Sequence, residues 1–129
     1  MSTRNFLTAG GIVALFFGIV LIFTQDAFAK MVLTDHILSA NARAFSANFG
    51  IVLAGVGIGT LAARNSIPSA ARRGFVIQFT IACLLLAGFD IHNIIAGVNS
   101  NGEWGPVAIV TILGIWGLAL LVKERSNAL

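Results

Sequence analysis

The sequence predicts an all-α fold: an integral membrane bundle of four transmembrane helices with both termini in the cytoplasm. Three observations carry this expectation. The 129 residues are 57% hydrophobic and 10% charged, with a mean hydropathy of +0.93, far from the balance of a soluble domain. Four apolar runs, about 7–23, 44–63, 75–98 and 106–122, each approach the ~20 residues with which a helix crosses a bilayer. Basic residues gather at alternate ends of those runs, as topology signals do. A chain of this length has room for one domain, 1–129.

The first run, Leu7 to Phe23, follows Arg4 and ends at Thr24-Gln25-Asp26. Ala27-Phe28-Ala29 just beyond it has the form of a signal-peptidase site, so a cleaved signal peptide is the rival reading. The run is at the long end for such a peptide, which favours a retained span. Residues 25–44 are too many for a tight turn. A short surface helix or re-entrant piece fits there, with Phe28, Met31, Val32 and Leu33 at the interface and Lys30 and Asp35 turned to water. Ser39 or Asn41 is placed to cap the next helix through a side-chain oxygen.

The second run, Ala44 to Ala63, is rich in small residues, with Gly55 and Gly59 four apart and Gly50 and Ala54 in the same relation. Such spacing lines one stripe of a helix and lets another backbone approach, because in lipid the helices must be held by packing itself. The link 64–74 carries Pro68, which prevents the helix from continuing, and is edged by Arg64, Arg72 and Arg73. The fourth run starts at Gly105-Pro106, where proline suits a first helical turn, and stops before Lys123-Glu124-Arg125. The four spans make two helical hairpins, joined by a short middle link.

The third run, FVIQFTIACLLLAGFDIHNIIAGV from Phe75 to Val98, reaches about 36 Å as a helix. Its second half carries Asp90, His92 and Asn93, and ionisable groups at membrane depth are costly unless paired or functional. Arg4, Arg64, Arg72, Arg73, Lys123 and Arg125 fall on one side of the membrane, which the positive-inside rule makes cytoplasmic. Asp90 and His92 then lie toward the outer face, at a depth similar to that of Arg43. An Arg43–Asp90 ion pair assisted by Asn93 is the economical expectation, costly to break but of small net benefit because both charges are desolvated.

His92 shares a helix stripe with Gly88 and Ala96, on which another helix or a flat ligand could lie close. His36 falls on the same side of the membrane, so the two histidines permit a shared metal or an axial haem ligand. Hydrogen-bonded structural histidines are the plainer reading. The lone Cys83 sits in an apolar run and reads as a small core residue. Gln78, Thr80 and Thr111 can satisfy themselves against helix carbonyls and form no polar line with Asp90. Asp90 is the one acid placed within a span, Glu103 being read as an outer-loop residue. Trp104 belongs at the outer interface, Trp116 deeper, and Phe16, Phe17 and Phe23 toward lipid or a neighbouring molecule.

Phosphate-loop, serine-nucleophile, zinc-hydrolase and thiol-redox motifs are absent from the sequence, and no catalytic residue is expected. The net charge of +3 is scattered over segment ends, which argues against a nucleic-acid partner.

Two stretches carry a family resemblance. LSANARAFSANFG, Leu38 to Gly50, places Arg43 before the pair Phe49-Gly50 and a glycine-rich span, and AGFDIHNIIAGVNSNGEWGP, Ala87 to Pro106, closes the third span. In layout these resemble the DUF4345-like proteins, small bacterial four-helix membrane proteins of unknown function. The resemblance implies a four-span fold and a role for Arg43 at the outer helix junction. The family tends to offer an arginine where this chain has Asp90 and His92, so no family site carries over there.

The leading expectation is a non-catalytic subunit or accessory protein of the bacterial cytoplasmic membrane, without cofactor, packing against other membrane proteins or against copies of itself. A haem- or metal-binding membrane protein using His92 and His36 is the second reading, and a small transporter or channel the third.

Overall fold

The computed structural model describes residues 2–34 and 38–126. Among them there are four long helices and one short one, no strand, and a single antiparallel bridge between Leu33 and Asn99. The helices are α1 (Thr3–Phe23), α2 (Gln25–Val32), α3 (Ala40–Ala63), α4 (Ala70–Ile95) and α5 (Trp104–Ser126), with a 3-10 turn at Asn101–Glu103 before the last. All four long helices are apolar and long enough to cross a membrane, so the all-α, multi-pass expectation holds.

The helix ends follow local side-chain chemistry. Ser2, Ser39 and Ser69 each accept a hydrogen bond from the amide three residues on, and so cap α1, α3 and α4. The surface helix expected after the first span is α2, which starts immediately beyond Thr24. Because Ser69 caps α4, the middle link shortens to 64–69, and the Arg72 guanidinium folds back onto the Ser66 carbonyl at 3.0 Å. At its other end α4 stops before Val98. Gly97 takes φ 75°, its amide reaches the Ile94 carbonyl, and Val98 N–H reaches the Asn93 carbonyl at 2.9 Å. This pairing closes a helix through a left-handed residue, which glycine adopts without penalty.

Two hairpins result. In the first, α1 and α3 run antiparallel along a seam of glycines. A Cβ on Gly18 would sit 2.7 Å from the Ala54 nitrogen and one on Gly50 2.8 Å from the Gly18 oxygen. One turn-pair deeper, a Cβ on Gly57 would sit 2.7 Å from the Leu15 nitrogen, and one on Gly11 3.0 Å from the Gly57 oxygen. The backbones touch, which is how helices gain dispersion contact when lipid supplies no hydrophobic drive. In the second hairpin, Gly114 receives Leu84 and Gly117 receives the Thr80 hydroxyl, each where a Cβ would collide.

The hairpins are joined at both ends. At the end bearing the middle link, Phe6, Leu7 and Val76 are fully buried, and Phe6 packs edge-on against Phe79 at 6.0 Å and Trp116 at 5.8 Å. Thr3 donates to Glu124 there at 3.4 Å. At the opposite end the two outer links are stapled: Ser100 N–H donates to the Val32 carbonyl at 2.7 Å, Thr34 N–H to the Val98 carbonyl at 3.3 Å, and the Ser100 hydroxyl to the Met31 carbonyl at 2.7 Å.

Candidate functional site

Between these two joints the hairpins separate and enclose a cavity of about 410 Å³, within the roughly 300–1,000 Å³ of small-molecule sites. Its wall on α4 runs from Phe75 to Asp90, about 22 Å at 1.5 Å per residue. Most of the lining is apolar. Ala14 and Phe17 come from α1, Leu53 and Val56 from α3, Phe79 and Cys83 from α4, and Val110 and Leu113 from α5. The hydroxyl of Thr60, also in the wall, is silenced by the Val56 carbonyl at 2.8 Å. Contact between α3 and α4 is sparse, and the lining residues Phe49 and Val52 remain 43% and 62% exposed. The chamber therefore opens sideways, toward the hydrocarbon of a surrounding membrane.

The outer end of the cavity is acidic. Asp90, from the penultimate turns of α4, and Glu103, from the 3-10 turn, both line it. Glu103 is 7% exposed and its Oε2 is buried without a hydrogen-bond partner. Among the described residues the Asp90 carboxylate makes no hydrogen bond and no ion pair, and no lysine, arginine or histidine lines the chamber.

Glu103 reaches this position for a local reason. Ser100-Asn101-Gly102-Glu103 has the S-x-x-E pattern of a capping box, in which the glutamate turns back to the serine amide. Here that amide is already taken by the Val32 carbonyl. Neither half of the box forms: Ser100 Oγ accepts from Gly102 N–H at 3.2 Å, the Glu103 amide donates to the Ser100 carbonyl at 3.1 Å, and the glutamate side chain is left to the bundle. Glu103 thus stands in the link between the third and fourth spans, but its side chain is buried and lines the chamber together with Asp90.

The Arg43–Asp90 pair is also corrected. Arg43 Nε donates to Asp26 Oδ1 at 3.0 Å, both side chains being more than half exposed. The first turn of α2 brings Asp26 beside α3, an approach that helical spacing within one segment cannot reveal. With Arg43 on Asp26 there is no Arg43–Asp90 pair for Asn93 to assist, and the Asn93 backbone carbonyl accepts from Val98 and Asn99. His92 is exposed in the last turn of α4. His36, its expected partner, lies outside the described residues, and among those described no three His, Cys, Asp or Glu side chains converge.

Of the expected packing residues, Gly50 and Ala54 lie in the α1–α3 seam. A Cβ on Gly59 would meet the Phe75 ring at 3.6 Å, an ordinary contact, whereas one on Gly55 or Gly88 would meet nothing within 4 Å. The seam glycines passed over in the sequence are Gly11, Gly18 and Gly57. Their signal was a shared seven-residue spacing, 11 to 18 on α1 and 50 to 57 on α3, which places matched gaps on two antiparallel faces.

Fold and cavity together define a class: a small all-α protein with four helices able to cross a membrane, arranged around a laterally open chamber with an acidic end. No family model, curated protein or solved structure matches the chain.

Proposed function

We propose that the chain is an integral membrane protein that binds, without catalysis, an apolar membrane-soluble molecule in the chamber between its hairpins. The observation that carries this is a cavity of about 410 Å³ lined by apolar side chains and open between α3 and α4. A void of that size in a tightly packed helix bundle forfeits dispersion contacts that an occupant would restore. The ligand enters from the bilayer and needs no aqueous passage. In this reading the arginine-edged link 64–69 and both termini face the cytoplasm.

A second reading, the membrane subunit that packs on a partner, is favoured by Gly55 and Gly88, whose surroundings are open to a close-approaching helix. The two readings are compatible, because these glycines do not line the chamber.

The test is photolabelling in phosphatidylcholine nanodiscs with a diazirine-bearing dodecanol, mapped by mass spectrometry. Saturable labelling of Phe17, Leu53 and Phe79, competed by plain dodecanol and lost in Ala82→Phe, is the expected result. Ala82 lines the chamber, so the new ring occupies it. Non-saturable labelling confined to outward residues such as Leu85, 68% exposed, would overturn the proposal.

A further inference from the structure

We infer that the outer end of the chamber recognises an ammonium head group, so that the ligand is a long-chain primary or secondary amine. This rests on the chamber being a binding site, and it follows from what its acidic end lacks. Glu103 is more than nine-tenths buried, aimed into the cavity, and has one carboxylate oxygen with no donor. Asp90 faces the same space from α4, with neither hydrogen bond nor ion pair among the described residues.

Carboxylates accept hydrogen bonds and donate none, and a buried one without a partner is strongly unfavourable. Among the described residues no lysine, arginine or histidine lines the chamber to relieve this. Arg43 is held by Asp26 at the surface, and Lys30 is exposed on α2. A ligand that brings both positive charge and N–H donors relieves this, and an ammonium group brings the two together.

Other cations fit less well. Calcium requires six to eight oxygen ligands, and magnesium near-ideal octahedral oxygen coordination; two carboxylates in a wall whose other polar side chains are Thr60 and Gln78, both on the inner half of their helices, do not provide them. A quaternary ammonium carries charge but no N–H for the orphan Oε2. The rings of Phe17, Phe28 and Phe49 line the outer half of the same chamber, and ring faces attract an alkylammonium. The chain of the ligand then runs inward along the apolar wall toward Thr60 and Phe75.

The experiment is competition against the diazirine-dodecanol label in phosphatidylcholine nanodiscs, using dodecylamine, dodecyltrimethylammonium, dodecanol and dodecanoate. Labelling of the lipid-facing Leu85 serves as the measure of membrane concentration. Dodecylamine should compete at a concentration about tenfold below dodecanol, as a charge-assisted hydrogen bond provides, with dodecyltrimethylammonium between them and dodecanoate weakest. Glu103→Gln and Asp90→Asn, both nearly isosteric, should each shrink the amine's advantage to about twofold or less while dodecanol competes as before. Equal competition by amine and alcohol in the unaltered protein would overturn the head-group inference and leave the chamber reading standing. Failure of every competitor, with labelling only at Leu85, would overturn both. An amine preference that survives in Glu103→Gln and in Asp90→Asn would remove the carboxylates from the recognition.

Discussion

Arg43 Nε donates to Asp26 Oδ1 at 3.0 Å, joining the first turn of α2 to the first turn of α3. With the arginine engaged at the surface, Asp90 has no ion pair among the described residues. The pair is more than half exposed on both sides, so its worth is small. A double-mutant cycle on Arg43→Ala and Asp26→Ala should give a coupling of about 0.2–1 kcal/mol. The cycle on Arg43→Ala and Asp90→Ala should be additive, and coupling above that range between the latter two would contradict the observed pairing.

Glycine substitutions should divide sharply by position. Gly18→Ala and Gly57→Ala place a methyl against backbone atoms of the facing helix, which cannot swing aside as a side chain does. Each should cost about 1–3 kcal/mol. Gly55→Ala and Gly88→Ala meet open space and should be neutral or slightly stabilising, since alanine is the better helix former. Reversible unfolding in mixed micelles reads the difference, and an equal cost at Gly55 and Gly18 would refute the seam.

Gly102 packs onto the Met31 carbonyl so closely that a Cβ there would collide with it. Gly102→Ala should part the two outer links and swing Glu103 from its place, while the joint around Phe6 and Trp116 stays closed. Amine competition for the chamber should weaken by roughly tenfold, equivalent to ~1.4 kcal/mol. Stability should fall much less than in Gly18→Ala. Unaltered competition would show that the staple does not position the glutamate.

His92 is exposed and stands apart from the chamber lining. His92→Ala should therefore leave stability within about 0.5 kcal/mol, as for an ordinary surface change, and leave the labelling pattern intact. Loss of chamber labelling in this variant would return the histidine to the site.

Much of the fold was legible from composition and spacing. Four apolar runs with polar breaks specify four helices, because a backbone in lipid must satisfy its own hydrogen bonds. Ser39 was a readable cap, and the surface helix after the first span was expected from its mixed polarity. The ends were less legible: hydropathy drops polar first turns such as 70–74, although Ser69 begins the helix there, and it does not register that Gly97 terminates α4.

The site was read in part. Asp90 drew attention because a charge in an apolar run is conspicuous. Glu103 did not, because its neighbours Asn101 and Gly102 look like a loop. The S-x-x-E pattern at Ser100 was a usable signal, but it specifies a glutamate folded back on the helix start. The actual direction depends on Val32, far away in sequence, occupying the Ser100 amide first.

By itself, then, the sequence determined the all-α class, four membrane-length helices and the segregation of basic residues, since these depend on local hydropathy and on backbone hydrogen bonding. The tertiary structure alone decided which glycines meet, which acid pairs with Arg43 and where Glu103 points. Those outcomes depend on contacts between segments remote in sequence, and in a chain so uniformly apolar the pattern along one helix does not name its neighbour. The chamber belongs to the same category: it exists because the hairpins are joined at their two ends and held apart between them.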